Sequence, residues 1–273
     1  MNMLQIPVLL ALVLGTSACG PTPAPAPAPR TAEITPPSAV GDPLPVSDVS
    51  GLFADKNYLT GRIRYAEYPD FVKIAPEHTV KTDEYIRADV YESFRNMRAA
   101  ALKDGITLTI VSGARNFERQ KGIWEAKWNG ERMVEGKNLA RDVKDPDERA
   151  RLILLYSSMP STSRHHWGTD IDLNSLEDRY FLSGKGRKEY EWLTAHAAAY
   201  GFCQVYSVKD GSRPYGYEEE KWHWSYMPVA SVLLANYNKS VTAADIRDFA
   251  GSASAVGLRV IERYVNGINP ACK

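Results

Sequence analysis

The stretch SRHHWGTDIDL, residues 163–173, places two histidines and two aspartates around a single glycine. Its last part, DIDL, alternates polar and apolar residues. This alternation predicts a strand on which Asp170 and Asp172 face the same side. Gly168 allows a sharp turn just before that strand. We therefore expect His165 to fold back toward the side that carries the two aspartates.

A second stretch, EEEKWHWSY at 218–226, brings a further histidine and an acidic side chain. Its alternating end, HWSY, predicts a neighbouring strand that carries His223, and Glu220 lies three positions earlier. A catalytic zinc ion takes three protein ligands from His, Asp, Glu or Cys and keeps one position open for water. A His, Asp, His set from the two stretches fits this pattern, whereas a structural zinc site is more often closed by cysteines. The sequence thus predicts a hydrolytic zinc site.

The three remaining histidines carry no such pattern. His166 would point away from its neighbour, and we expect it in a structural role or at the rim of the site. His196 lies within a predicted helix as a surface or packing residue. His78 lies in a predicted loop.

The rest of the chain predicts short strands and helices that do not alternate regularly, which disfavours a doubly wound parallel sheet. We expect the α+β fold class, with a small antiparallel sheet flanked by helices and the zinc site on the sheet. Helices are predicted at 83–103, 116–128, 145–156, 187–200 and, in two pieces divided near Gly251, from Thr242 onward, and strands at 107–113, 202–207 and 223–226.

The composition fits one sizeable domain, which we expect over residues 46–273. The chain has 273 residues, of which 44% are hydrophobic, and its 33 basic residues balance 33 acidic ones. It has no basic stripe, so nucleic acid is not expected as a partner. We expect a monomer.

The first part of the chain has the pattern of an export signal and a spacer. An apolar run from Ile6 to Leu14, followed by small residues, predicts a signal peptide over residues 1–19. Its last residue, Cys19, follows GTSA in a pattern that resembles the lipobox of bacterial lipoproteins, whose cysteine is acylated. Residues 20–45 are rich in proline and alanine and predict an extended linker. We expect an exported protein of the cell envelope or periplasm with a lipid anchor, and plain secretion is the alternative.

Two further cysteines, Cys203 and Cys272, remain in the predicted domain. In an oxidising compartment they can form a disulfide that ties the C-terminal tail to the core. The alternative is a pair of free thiols.

Three segments follow one another between Ser112 and His223: VSGARNFERQ, SRHHWGTDID and EKWHW. They match, in order, S-G-x-R with a glutamine five residues on, S-x-H-x-x-G-x-x-x-D, and E-x-W-H. With these motifs the chain resembles the VanY-type D-alanyl-D-alanine carboxypeptidases. That family belongs to a wider metallopeptidase group that includes lysostaphin-like enzymes and the hedgehog signalling domain.

The resemblance implies a role for five residues. His165, Asp172 and His223 would be the zinc ligands. Glu220 would be the general base for a zinc-activated water, which acts as the nucleophile. Arg115 matches the family's arginine near the scissile carbonyl, where a fixed cation can stabilise an oxyanion.

A carboxypeptidase also needs groups that hold the free carboxylate of its substrate, and Gln120 and Ser163 are the candidates. One position departs from the family pattern, because many members have alanine where this chain has Asp170. A carboxylate there either orients a ligand histidine as an outer partner of the metal or changes the specificity.

The resemblance implies a zinc-dependent carboxypeptidase that hydrolyses the terminal D-Ala-D-Ala bond of peptidoglycan stem peptides. Two alternatives stay open. One is a peptidoglycan endopeptidase with the same zinc site, and the other is a zinc-stabilised cell-wall binding protein without turnover. The expected partners are peptidoglycan stem peptides, with membrane contact only through the lipid anchor.

Overall fold

The computed structural model describes residues 55–272, in which short strands form two small sheets. The strands are β1 Phe71–Lys73, β2 Tyr85–Arg87, β3 Ile110–Ser112, β4 Asp170–Leu173, β5 Phe202–Cys203 and β6 His223–Tyr226. The α-helices of this part are α1 Lys56–Leu59, α2 Ala88–Lys103, α3 Phe117–Trp128, α4 Leu139–Asp142, α5 Pro146–Ile153, α6 Gly184–His196, α7 Met227–Ser240 and α8 Ser254–Gly257. None of these helices has the length and apolar character needed to cross a lipid bilayer. The predicted signal peptide, the linker, Cys19 and the first residues of the predicted domain lie outside the described residues.

The larger sheet has the strand order β3-β4-β6-β5, and all its neighbouring strands are antiparallel. β1 and β2 form a separate antiparallel pair. With the surrounding helices this is an α+β fold, as the sequence predicts. The register places Asp172 opposite Ser112 on one side and opposite His223 on the other. Backbone pairing thus brings Asp172 and His223 together at the middle of the sheet.

The apolar side of α2 packs in one cluster with residues of β3 and β4. The buried members of this cluster include Val90, Phe94, Met97, Ala101, Ile110, Ile171 and Leu173. Successive strand residues point to opposite faces of a sheet. Because Ile171 and Leu173 are buried in this cluster, Asp170 and Asp172 point to the other face. The core on one face therefore sets the direction of the acidic side chains on the other.

The helix predicted at 83–103 begins only at Ala88, because the residues before it form β2. β2 pairs with β1, and the Ile74 amide donates to the Glu84 carbonyl at 2.9 Å. Asp83, where the prediction starts the helix, has a φ of 57°. The helical spacing of the apolar residues extends by chance into a segment whose strand partner lies elsewhere in the chain.

The C-terminal part differs more strongly from the prediction. Helix α7 follows β6 directly and is not predicted by the sequence pattern. The tail beyond Thr242 is a series of short turns, of which α8 has four residues and Ile261–Val265 is a π-helical turn. Positive φ values at Asp248, Gly251 and Arg259 interrupt it. The predicted two-piece helical tail is therefore wrong.

The turn before β4 depends on a glycine. Residues Arg164–Trp167 form a 3-10 turn that ends at Gly168, whose φ is 68°. A Cβ atom at this position would lie 2.3 Å from Phe71 Cε1, so a larger residue has neither the backbone conformation nor the space. The turn brings His165 back toward β4, as the sequence predicts.

A disulfide joins Cys203 in β5 to Cys272, with 5.7 Å between the two Cα atoms. It spans a sequence separation of 69 residues. The bond ties the C-terminal tail to the edge strand of the larger sheet.

Candidate metal centre

Two imidazoles and one carboxylate meet between β4, β6 and the 3-10 turn that precedes β4. His165 Nε2 and His223 Nδ1 each lie 3.3 Å from Asp172 Oδ1. The ligand atoms of the three residues are all within 4.8 Å of one another, and the three side chains are buried. The structure thus brings together the three residues that the sequence predicts as metal ligands.

Hydrogen bonds on the far side of each imidazole leave its facing nitrogen free. His165 Nδ1 is 2.8 Å from the carbonyl oxygen of Gly113, which can only accept, so Nδ1 carries the hydrogen. His223 Nε2 donates to Asp170 Oδ2 at 2.8 Å. With a cation bound, the remaining nitrogens, His165 Nε2 and His223 Nδ1, would turn their lone pairs toward it. Metal-ligating histidines are typically held in this way, by a carboxylate or a backbone carbonyl on the second nitrogen.

The donor set fits a zinc ion. Zinc binds imidazole nitrogen and carboxylate oxygen at about 2.0–2.2 Å, so two ligand atoms of a tetrahedral site are roughly 3.3 Å apart. This agrees with the 3.3 Å from Asp172 Oδ1 to each imidazole. Asp172 Oδ1 is buried and accepts no hydrogen bond from any residue that the structure describes. A cation held by His165, Asp172 and His223 would satisfy this oxygen and leave one coordination position open.

The charges around these residues favour a cation. Burial would lower the pKa of His223, but the hydrogen bond to Asp170 and the facing carboxylates of Asp172 and Glu220 raise it well above its usual value. Burial lowers the pKa of His165. Burial alone would raise the pKa of Asp172, yet the facing imidazoles hold it well below its usual range. Negative charge is therefore concentrated at a buried position that one cation would balance.

Glu220 and Arg115 flank the three ligands. Glu220 Oε2 is 3.2 Å from His223 Nδ1, and burial raises the pKa of the Glu220 carboxyl group. Arg115 Nη2 lies 3.6 Å from the second carboxylate oxygen of Asp172. Both side chains line the same cavity as the ligands. The structure therefore places both predicted catalytic residues at the metal centre.

Asp170 contacts His223 at the ring nitrogen that faces away from Asp172. Its Oδ2 accepts from His223 Nε2 at 2.8 Å and from Arg164 Nε at 3.0 Å, and its Oδ1 accepts from the hydroxyls of Thr169 and Ser225. The side chains of Asp170 and Arg164 are completely buried. Burial alone would raise the pKa of Asp170, but the Arg164 guanidinium and His223 hold it well below its usual range. Asp170 thus contacts a predicted ligand histidine, as expected if it orients that histidine. The sequence gives no sign that Arg164 is its partner.

Gln120 does not reach the cavity, and its predicted contact with the substrate is wrong. Its side chain is fully buried, Oε1 accepts from Arg115 Nη1 at 2.8 Å, and Nε2 donates to the Ser158 carbonyl at 2.7 Å. Because both ends of the amide are used inside the protein, Gln120 orients Arg115 instead. Ser163 does line the cavity, and its contact with a substrate stays a prediction.

Two further side chains support the centre. The buried ring of His166 donates from Nδ1 to the Arg115 carbonyl at 2.6 Å, and its Nε2 accepts from the Ser161 amide at 3.1 Å. His166 thus has the structural role that the sequence suggests, because it ties the backbone of Arg115 to the loop before the ligand turn. Tyr206 packs against the His223 ring with 4.6 Å between the centroids. No signal in the sequence marks Tyr206.

The metal centre opens into a cavity of about 970 Å³. This volume is at the upper end of the range for small-molecule pockets, about 300–1,000 Å³. The wall carries aromatic and basic side chains, among them Tyr156, Tyr206, Tyr217, Trp222, Lys127 and Arg132. The cavity therefore has room for more than the two residues next to a scissile bond.

The α+β fold thus carries, at an open cavity, a His, Asp, His donor set that could hold a zinc ion. Comparison with protein families agrees, because the model described as "VanY: D-alanyl-D-alanine carboxypeptidase" matches residues 83–229, more than half of the chain. The chain belongs to the VanY family. The resemblance seen in its three motifs is thereby confirmed.

Among curated relatives, the chain is similar to the Bacillus subtilis protein named "Putative carboxypeptidase YodJ", with 28% identity over 156 residues. That match covers 56% of this chain and 50% of the relative, so the chain spans about half the length of that protein. An uncharacterized protein of Haemophilus influenzae is 30% identical over 104 residues, which are 37% of this chain and 67% of the relative.

Solved structures of similar fold include VanYB in complex with D-alanine-D-alanine, with 22% identity and a TM-score of 0.46, covering 64% of this chain and 86% of that one. Another is a variant of the D,D-pentapeptidase VanY in complex with Zn(II), with 20% identity and a TM-score of 0.43. It covers 64% of this chain and 94% of that one.

Proposed function

We propose that this protein is a zinc-dependent carboxypeptidase that removes the terminal D-alanine from peptidoglycan stem peptides. The observation that carries the proposal is the buried His165, Asp172 and His223 set, with Glu220 and Arg115 beside it in one open cavity. Membership of the VanY family supports the reaction and the class of substrate.

Zinc, when bound, supplies a Lewis acid and makes hydroxide available from water near neutral pH. The chain's own residues supply the rest. Glu220, at 3.2 Å from His223 Nδ1, is placed to accept a proton from water at the centre and to return it to the departing amine. Arg115, fixed by Gln120, faces the same place and stabilises the negative charge that develops on the attacked carbonyl oxygen.

The direct test incubates the purified protein with a stem pentapeptide that ends in D-Ala-D-Ala, and uses mass spectrometry to identify the products. Release of a single D-alanine that stops with a chelator and returns with zinc supports the proposal. Cleavage inside the peptide or a cross-bridge assigns an endopeptidase instead. Zinc-dependent binding of cell wall without any cleavage assigns a binding protein. A peptide ending in L-Ala-L-Ala is the matched control for stereochemistry.

We also propose that the protein is exported and held at the cell envelope by a lipid on Cys19, with residues 20–45 as the spacer. The apolar run and the lipobox-like cysteine support this proposal. The disulfide between Cys203 and Cys272 fits an oxidising compartment. Fractionation should find the native chain with membranes and a Cys19→Ala variant in the soluble fraction. An unchanged distribution would contradict the lipid anchor.

A further inference from the structure

Two cations on the cavity wall have no carboxylate within ion-pair distance among the residues that the structure describes. Of the basic side chains that line the cavity, four face a carboxylate within 4.0 Å: Lys81 and Arg119 face Glu84, Arg115 faces Asp172, and Arg179 faces Glu177. Lys127 and Arg132 line the same cavity, and within residues 55–272 neither has a carboxylate at this distance. Glu135, exposed on the rim, forms an ion pair with neither of them. Lys127 and Arg132 thus place two positive charges on this part of the wall, where Glu220 is the acidic side chain that acts on Lys127 from a distance.

Lys127 is held in place although it lacks an acidic partner. It lies half-buried in α3, and its Nζ donates to Ser157 Oγ at 2.6 Å. An ammonium group has three hydrogens to donate, and among the described residues only Ser157 accepts one of them. Burial, together with repulsion from Arg132 and Arg115, lowers the pKa of Lys127 to about 8, although Glu220 acts in the opposite direction. A carboxylate in the cavity would receive the free donors and restore the preference for the charged form.

The position of Lys127 relates it to the reacting bond. Lys127 and Gln120 are seven residues apart, so they lie on the same side of α3 about 10.5 Å apart along its axis. A long side chain on a helix leans toward the N-terminus, so the ammonium is closer to Gln120 than the backbone is. Their partners, Ser157 and Ser158, are consecutive residues with Cα atoms about 3.8 Å apart. The ammonium therefore lies about one or two residue lengths from Gln120, which holds Arg115.

We propose that Lys127, with Arg132 beside it, forms a subsite for a carboxylate of the substrate peptide, one or two residues from the scissile bond. This inference rests on the proposed function, because it deepens the choice of substrate at the same centre. The carboxylate has two possible sources, the free terminus of the peptide or an acidic group on a neighbouring residue. In either case Lys127 selects acidic peptides.

The test combines three variants with three peptides. Lys127→Met removes the charge, Lys127→Arg keeps it, and Lys121→Met is the matched control, because Lys121 is on the same helix but does not line the cavity. The parent peptide carries both carboxylates, the second peptide is its C-terminal amide, and the third has its acidic side chain amidated. The measured quantities are kcat and KM of the zinc-loaded proteins.

We expect amidation of one carboxylate to lower kcat/KM of the native protein about 10- to 100-fold, mainly through KM, as for loss of a hydrogen bond between charged groups. With the parent peptide, kcat/KM of Lys127→Met should already be lower than that of the native protein by this factor. Amidation of the same carboxylate should then cause no further loss in this variant. Lys127→Arg keeps the charge, so its kcat/KM should still fall on that amidation, and Lys121→Met should behave like the native protein. The amidated peptide for which the native protein and Lys127→Met have the same kcat/KM identifies which carboxylate Lys127 binds. If Lys127→Met discriminates among the three peptides as the native protein does, the subsite is refuted.

A binding measurement keeps this inference separate from the proposed function. Calorimetry of zinc-loaded Glu220→Gln protein, with and without Lys127→Met, gives Kd values for the same peptides without turnover. A native protein that cleaves none of the peptides, but whose binding depends on Lys127 and on one carboxylate, refutes the proposed reaction and supports the subsite. Equal Kd values with and without Lys127→Met, or no binding at all, refute the subsite.

Discussion

The contact between Asp170 and His223 can be separated from the burial of Asp170 by changing two residues. An Asp170→Ala substitution removes the acceptor of His223 Nε2 and also the partner of the buried Arg164. A second substitution, Arg164→Met, also removes the positive charge that Asp170→Ala leaves without its carboxylate partner. The single and double variants therefore differ in electrostatic cost but share the loss of support for His223.

The structure gives the size of both effects. Asp170 and Arg164 have no exposed side-chain surface, and breaking a buried ion pair by removing one partner costs about 3–5 kcal/mol of unfolding free energy. Arg164 keeps its hydrogen bond to Ser225 at 2.6 Å, so we expect the lower end, about 3 kcal/mol. Replacing both partners by apolar side chains is often nearly neutral, so the double variant should recover at least about 2 kcal/mol. Loss of the outer partner of a ligand histidine lowers metal affinity about 10- to 100-fold.

Two assays are needed, urea unfolding of the metal-free protein and competition with a chelator for zinc. The double variant should regain stability while its zinc affinity stays about 10- to 100-fold below that of the native protein. Glu189→Gln is the matched control, because Glu189 is a fully buried acid that accepts from Tyr180 at 2.8 Å, away from the metal centre. It should lose stability and keep its zinc affinity. If the double variant regains stability and zinc affinity together, Asp170 does not position His223.

Three further outcomes are expected. Glu220→Gln should bind zinc like the native protein but lose about 10²- to 10⁴-fold in kcat, the usual contribution of a general base, and full turnover by a zinc-loaded variant would contradict the role. Replacing both Cys203 and Cys272 by alanine should lower the unfolding free energy by about 4 kcal/mol in a urea titration, since the bond closes a loop of sequence separation 69. Peptide affinity should fall as the pH rises through about 8, because burial and Arg132 lower the pKa of Lys127 to about 8 and only its charged form, present below that pH, attracts a carboxylate. Calorimetry from roughly pH 6.5 to 9.5, about 1.5 pH units on either side of this pKa, should show the fall in peptide affinity for the native protein. The plot of affinity against pH should be flatter for Lys127→Met. A decline of equal steepness in both proteins would exclude Lys127 as its origin.

The grouping of the three candidate metal ligands could be predicted because it depends on local sequence patterns. The alternation of DIDL and HWSY determines which side chains share a face of the sheet, and Gly168 reveals the turn that returns His165. These features depend on a few neighbouring residues. They remain visible in a single sequence.

Contacts between distant segments could not be predicted in the same way. Gln120 has a side chain suited to a substrate carboxylate, but its burial against Ser158 is decided by how α3 packs on a segment far along the chain. Nothing in the sequence distinguishes Arg164 from other charged residues, because its contact with Asp170 forms only in the folded protein. The predicted helix begins too early, because Tyr85–Arg87 fit a helical pattern but pair with β1 as a strand. In each case tertiary contact overrides a local preference.

The pairing of β4 on both of its edges has a consequence for how the chain matures. A slip of one residue in either pairing would turn Asp172 toward the apolar core and present Ile171 or Leu173 to the imidazoles. Misaligned chains would then lack a carboxylate at the centre, and zinc would bind and stabilise only correctly aligned molecules. Zinc content of the purified protein would therefore fall with the fraction of chains whose strands are out of register.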